Sequence, residues 1–267
     1  MSTLNVCTVA SETVWKDKQG NIEKTEHHVA EALRLFPKTQ VILFPEVSLA
    51  GYAADAGSKK ELAEPMNGFC VMEVQRIAKK YGVALICGMI EEKKDDKPYN
   101  TEFVVDKQGS FLASYRKNHL FTGSKEPDHY SAGDELTIFD VENWKCGLSI
   151  CFDIRFPRLF EAYKKVGVEC IFSGFDWVPG RNKAAAMDFT IKTRANENQY
   201  FVVAVDRSAS DVNASFHGKS IIANPYGEDI STKQGVYSYA ELDKNDIKDI
   251  TESLPLSGSF REKYAIK

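Results

Sequence analysis

The chain has 267 residues, 43% of them apolar and 27% charged, with a formal net charge of −4. That length suits one large domain or two small ones, and its interior can be large enough to need no staple. An acidic balance without a basic stripe argues against a nucleic-acid partner, and no apolar run approaches the ~20 residues that span a bilayer.

Residues 1–6 hold neither the apolar core of a secretory signal nor a myristoylation glycine, so a cytoplasmic location is expected. The cysteines are Cys7, Cys70, Cys87, Cys146, Cys151 and Cys170. None forms a C-x-x-C pair and most lie in apolar runs, which argues against zinc or a disulfide framework and for buried thiols. Neither a ligand cluster nor a glycine-rich phosphate loop is present, so no metal or organic cofactor is expected.

In chain order, Leu4 to Val9 reads as a strand and Ile22 to Phe36 as an amphipathic helix closed by Pro37. Val41 to Phe44 is continuously apolar, the pattern of a strand covered on both faces. Met66 to Tyr81 repeats the helical spacing and stops at Gly82, and Val83 to Cys87 is a further buried strand. The charges of Glu91 to Lys97 read as a solvated hairpin tip. Strands follow at Tyr99 to Val105 and Phe111 to Arg116, across a turn at Gly109. Thr137 to Val141 leads into an apolar run ending at Ile150. After Cys151 the alternation resumes: a helix at Arg158 to Lys165, a strand at Glu169 to Phe172, a helix at Lys183 to Asn198 and a strand at Tyr200 to Val205. Strands at Lys219 to Ala223 and Gly235 to Ala240 flank a turn at Asn224 to Gly227. No repeat, low-complexity tract or linker divides the chain, so one α/β domain is expected, with two mixed sheets packed together and helices outside.

Cys151 stands where a strand gives way to a helix, in the segment Ser-Ile-Cys-Phe-Asp-Ile-Arg-Phe-Pro (149–157). A tight turn there exposes a nucleophile and leaves backbone N–H groups free to hold an oxyanion. Glu46 ends the apolar run 41–45, and Lys117 follows a strand in Arg-Lys-Asn-His (116–119). Taken singly, each has an ordinary reading: an inert buried thiol, a capping carboxylate, a solvated lysine.

Together, Phe-Pro-Glu (44–46), Arg-Lys-Asn-His-Leu-Phe (116–121) and the 149–157 segment resemble the signatures of the nitrilase, or carbon–nitrogen hydrolase, superfamily, in order and in spacing. The likeness runs from about Leu4 to the Arg261 region and includes Gly51-Tyr52, the stretch 194–198 and the turn 224–227. The resemblance implies an α-β-β-α sandwich that dimerises sheet to sheet, with the C-terminal tail (about 250–267) often crossing the interface. It implies a catalytic triad of Glu46 as general base, Lys117 as thiolate and oxyanion stabiliser, and Cys151 as nucleophile. The Phe152 N–H would be a second oxyanion donor. Glu126, rather than Asp128 or His129, resembles the family's additional glutamate. An ordinary thiol, with a pKa near ~8.5, needs such neighbours to react at neutral pH.

The 151–157 run together with Phe-Asp-Trp-Val-Pro-Gly-Arg (175–181) looks like the ω-amidase branch, whose substrates are terminal amides of 2-oxo-acids such as α-ketoglutaramate and α-ketosuccinamate. A substrate carboxylate needs a cation or several N–H donors. Arg181 is the first choice, with Lys183 and Arg155 behind it, and Trp177 and Tyr52 as pocket walls. Arg158 stands where many members carry a glutamate. Alternatives are an N-carbamoyl amide hydrolase, a simple aliphatic amidase and a non-catalytic relative. Phe152, in place of a bulkier residue, argues against a nitrilase. A thiol redox role is disfavoured because Cys146, on the strand before Cys151, is an odd number of residues away and would face oppositely.

Overall fold

The structure is a computed structural model that describes residues 2–52, 56–209, 215–256 and 261. Strand β1 (Thr3–Val9) leads into helix α1 (Lys18–Leu35), β2 (Val41–Leu43), α2 (Ala56–Leu62), α3 (Phe69–Tyr81) and β3 (Ala84–Glu91). An antiparallel pair follows, β4 (Tyr99–Val105) and β5 (Phe111–Arg116), then the short helix α4 (Glu126–His129). The second half contains β6 (Ile138–Val141), β7 (Trp144–Ile150), α5 (Pro157–Lys165), β8 (Cys170–Phe175), α6 (Lys183–Asn198), β9 (Phe201–Asp206) and β10 (Ser220–Ala223). It closes with β11 (Thr232–Gln234), β12 (Tyr237–Asp243) and α7 (Lys244–Ser253).

Two mixed sheets result, a seven-stranded one in the order β11-β12-β1-β2-β3-β4-β5 and a five-stranded one in the order β10-β9-β8-β7-β6. Parallel neighbours occur where a helix intervenes: β1 with β2, β2 with β3, β7 with β8 and β8 with β9. The expected sandwich is therefore present. Strand alternation divides the interior: Val41 and Leu43 of β2 join the core that includes the second sheet, while Ile42 and Phe44 join α1 and α3 in another. Burial on both faces explains why β2 carries no polar residue.

Several boundaries differ from the periodicity reading. Helix α1 begins a turn earlier, capped by the Asp17 carboxylate, which accepts from the Gly20 N–H at 2.9 Å. Its first turn is polar and gives no apolar signal. Helix α7 was invisible for the same reason, with Ile250 as its buried residue. α2 also lacks a predicted counterpart. Glu91 is not part of a solvated tip. It ends β3, is buried, and its carboxylate accepts from Arg116 at 2.6 and 2.9 Å and from Thr101 at 2.8 Å. Of the C-terminal tail, residues 257–260 and 262–267 lie outside the described residues, so the expected interface role of that tail falls largely there. Among the described residues no helix is long and apolar enough to cross a membrane.

Where the sheets meet, side chains give way to backbone. A Cβ on Gly88 of β3 would lie 2.3 Å from the Val47 nitrogen, and one on Gly174 of β8 would lie 2.7 Å from the Glu46 nitrogen. Only glycine permits this approach, which wedges the turn after β2 between the two sheets. Beside it, fully buried Glu102 of β4 accepts from the Gly174 N–H at 2.8 Å and so ties one sheet to the other. Burial pushes the Glu102 carboxyl well above its usual range; the Gly174 bond opposes this, and the Glu46 and Asp153 charges reinforce it. The folded protein thus retains a proton that unfolded glutamate releases near pH ~4.3. Stability from this group is fully present below that pH and is lost as pH rises towards the folded pKa. Glu102→Gln should match the wild type in melting temperature near pH 4 and melt increasingly higher than it towards pH 8. Parallel pH dependences for the two proteins would contradict this.

Candidate active site

Cys151 follows the last residue of β7 and opens a 3-10 turn, Cys151–Arg155, that leads to Pro157 at the first turn of α5. Its φ is +44°, in the left-handed region that residues other than glycine seldom adopt. This strain belongs to a sharp strand-to-helix turn that turns a side chain away from the sheet. The first N–H groups of such a turn, including that of Phe152, have no acceptor within it. Because the strand ends at Ile150, its alternation does not extend to Cys151. Cys146 and Cys151 share one core cluster, and Cys146 sits in register with Cys170. All six cysteines are buried and free.

Asp153 anchors the turn. Its buried carboxylate accepts from the Ile150 N–H at 3.0 Å, the Tyr115 hydroxyl at 2.9 Å and the His119 N–H at 2.9 Å, and contacts His119 Nδ1 at 2.7 Å. One side chain thereby joins the Cys151 turn to the loop carrying Lys117. His119 also stacks on Phe156, with ring centroids 3.7 Å apart.

Lys117 extends β5 by one residue; its N–H donates to the Asn100 carbonyl at 2.9 Å. Its side chain, 1% exposed, donates to Glu46 Oε1 at 2.7 Å and to Glu126 Oε1 at 3.0 Å. Burial alone would lower the Lys117 pKa, but the charges of Glu126, Glu46 and Cys151 raise it well above the ordinary lysine value. A buried ion trio of this kind contributes little to stability, since desolvation offsets most of the attraction. Its value lies in a fixed ammonium.

Glu46, 3% exposed, accepts from Asn100 Nδ2 at 2.7 Å as well as from Lys117, and from the Asp176 N–H at 2.9 Å through its other oxygen. Burial pushes its carboxyl up. The Lys117 charge and hydrogen bond, with those from Asn100 and the Cys151 thiol, outweigh burial and leave it below the usual glutamate range. Glu126 behaves oppositely: burial dominates, Lys117 only partly offsets it, and its pKa is raised. Its Oε2 accepts from the Phe121 N–H at 2.7 Å. The two carboxylates on one lysine thus hold different proton affinities, which is how acid and base roles are separated.

The thiol departs from expectation. Burial first, then the Glu46 charge, push Cys151 well above an ordinary thiol, while Lys117 and the Asp176 N–H pull less strongly the other way. The resting group is a thiol bonded to Glu46, not a preformed thiolate.

A cavity beside these groups is lined by Glu46, Val47, Tyr52, Lys59, Asn100, Glu126, Tyr130 and Asp176. Tyr52 is half-buried, and burial pushes its phenol up to about 12, so it stays a donor. Trp177 is buried, with Nε1 donating to the Lys183 carbonyl at 2.9 Å and Arg155 stacked 4.8 Å from its ring centroid. Arg181 is exposed and is not among the residues lining this cavity. Lys183 sits 5.0 Å from the ring centroids of both Phe121 and Trp177. Sequence reasoning missed Asn100, Asp153, Asp176 and Lys59. Asn100, at the head of the polar run Asn100-Thr101-Glu102 within the buried strand β4, carried the nearest thing to a signal.

A profile of carbon–nitrogen hydrolases matches residues 4–252. The chain belongs to that family. As a carbon–nitrogen hydrolase it is similar to 2-oxoglutaramate amidase of Bacillus subtilis, 30% identical over 246 residues that cover 91% of this chain and 92% of that protein. It is also similar to omega-amidase NIT2 of Danio rerio, 32% identical over 261 residues covering 93% and 91% of the two chains. The crystal structure of Saccharomyces cerevisiae Nit3, described as a member of branch 10 of the nitrilase superfamily, superposes with a TM-score of 0.86. It covers 98% of this chain and 97% of its own at 24% identity, a likeness of fold. The chain is thus an enzyme of the amidase type within the nitrilase superfamily.

Proposed function

We propose that the chain hydrolyses the terminal amide of 2-oxo-dicarboxylate monoamides, α-ketoglutaramate and α-ketosuccinamate, through a thioester on Cys151. The observation that carries the chemistry is the Lys117 ammonium held between Glu46 and Glu126 beside a thiol bonded to Glu46. The substrate class is supported by the names of relatives about a third identical over nearly the whole chain.

In this reading Glu46 takes the Cys151 proton as sulfur attacks the amide carbon. A raised thiol pKa makes the transfer part of the attack instead of a prior equilibrium. Negative charge develops on the carbonyl oxygen, where Lys117 Nζ and the Phe152 N–H stabilise it. Collapse breaks the C–N bond, and Glu46 returns its proton to the departing ammonia. Water then attacks the thioester, giving its proton to Glu46, and the acid leaves as the thiol is restored. Splitting acyl transfer into two steps lowers each barrier. Glu126 completes the charge around Lys117 and orients the amide nitrogen. Tyr52 and Trp177 wall the substrate site. A homodimer packed sheet to sheet is part of the same proposal, and light scattering tests it.

Ammonia release from α-ketoglutaramate, a carbamoyl amine and a nitrile, measured side by side, tests the substrate class. A kcat/KM for α-ketoglutaramate at least ~10²-fold above the other two is expected, a margin typical of a site built for polar groups that competitors lack. Equal trace rates on all three would remove the ω-amide assignment.

A further inference from the structure

We infer that the Asp176–Arg207 pair is a positioning device for the first proton transfer: it holds the Asp176 N–H between Glu46 and Cys151, so that one donor follows the negative charge from base to nucleophile. This rests on the reading above, in which Cys151 attacks and Glu46 takes its proton.

The pair sits one step beyond the ends of two parallel strands. Phe175 of β8 and Asp206 of β9 are register partners, and the ladder runs on through the Arg207 N–H, which donates to the Phe175 carbonyl at 3.2 Å. The backbone thereby brings Asp176 and Arg207 side by side. Arg207 Nη2 donates to Asp176 Oδ2 at 3.0 Å and Nε lies 2.9 Å from Oδ1, a two-pronged contact between side chains that are almost wholly buried. The same Nη2 donates to the Glu46 backbone carbonyl at 3.3 Å. The next residue is tied as well, with the Trp177 N–H donating to Asp206 Oδ1 at 2.8 Å. One guanidinium thus spans the loop after β8 and the turn that carries the base, and the peptide between Phe175 and Asp176 has little freedom to rotate. A buried ion pair adds little to stability once desolvation is counted, so its consequence lies in where it points that peptide.

It points at the reacting atoms. Glu46 Oε1 already accepts from Lys117 and Asn100, whereas Oε2 accepts from the Asp176 N–H at 2.9 Å. Oε2 is therefore the oxygen with lone-pair capacity left for the thiol proton. The same N–H also bonds to the Cys151 sulfur. As the S–H bond breaks, the proton passes to Oε2 and the electron pair goes into the forming S–C bond. Negative charge leaves Oε2 as it builds on sulfur, and the fixed N–H serves each in turn. A donor already in place costs no reorganisation at the moment of reaction.

Two readouts on Asp176→Ala test this: steady-state kcat and KM for α-ketoglutaramate, and the rate at which iodoacetamide alkylates Cys151, located by peptide mass. A slightly displaced donor makes the expected loss of kcat ~10–100-fold, with KM within ~3-fold of the wild type. Alkylation should slow by a similar factor, because it draws on the same thiolate, and it does not depend on which amide is hydrolysed. Asp176→Asn, which keeps an acceptor for Arg207 Nη2, should regain most of both rates. A pair that merely stabilises the fold would lower the melting temperature and leave both rates per folded molecule unchanged. That result, or a loss confined to KM, would overturn the inference while Cys151 and Glu46 keep their roles. If Asp176→Ala does not fold, as judged by its melting curve, Asp176→Asn/Arg207→Gln leaves no lone buried charge. It should show the same two losses, and unaltered rates there overturn the inference. A wild-type protein in which another cysteine is alkylated before Cys151 would remove the underlying reading, and the inference with it.

Discussion

Cys151→Ala should fold as the wild type does and release no measurable ammonia from α-ketoglutaramate, a loss of at least ~10⁴-fold in kcat by analogy with removal of other activated nucleophiles. The fold should survive because the substitution is small and nearly neutral in strain. Alanine at φ +44° bears the same left-handed penalty as cysteine. The turn is held by Asp153 through bonds from Ile150, His119 and Tyr115, none of which involves the sulfur. What disappears is the atom that forms the thioester, together with one hydrogen bond to Glu46. Steady-state ammonia release and a calorimetric scan on the same preparation separate the two effects. Turnover at the wild-type level would end the nucleophile assignment, whereas a collapsed melting transition would mean that the thiol is structural.

Glu46→Gln is expected to lower kcat by ~10²–10⁴-fold, the usual contribution of a positioned general base. The carbamoyl oxygen can still accept from Lys117 and Asn100, so the loss reflects proton transfer more than geometry. One local cost remains. The new amide nitrogen would face the Asp176 N–H that Glu46 Oε2 now accepts, placing donor against donor. The pH profile of the wild type supplies a second check. Glu46 must be ionised to act, so activity is present above its pKa and lost as pH falls through it. With that pKa lowered by Lys117, Asn100 and the thiol against burial, the acid limb of kcat/KM should lie below the range of an ordinary glutamate. An acid limb near neutrality would assign the base role elsewhere, with Glu126, whose pKa is raised, the first alternative.

Periodicity located most strands and the long helices because those elements bury one stripe or both faces, and burial writes itself into the order of apolar residues. It failed where an element is polar. Helix α7 has Ile250 as its buried residue, and the first turn of α1 is Lys-Gln-Gly-Asn. Glu91 shows the reverse failure: in a run of charges it looked solvated, yet a partner on β5 draws it inside. Among the site residues, Glu46, Lys117, Cys151 and Glu126 were legible through a resemblance spread over distant motifs, and the structure brings all four together. Arg181 was placed by a loop position, and that loop carries it outward.

The sequence alone determined the layered α/β class, the enzyme family and the chemical types around the thiol, because each depends on local patterns or on residues in family-specific order. Tertiary structure alone decided the proton affinities and the cavity wall. Those properties come from summed burial and charge across segments far apart in the chain. Lys117 joins Glu46, 71 positions away, and Asp176 reaches the same carboxylate across 130. The result is a protonated thiol at rest, and an exposed Arg181 that does not line the cavity beside it.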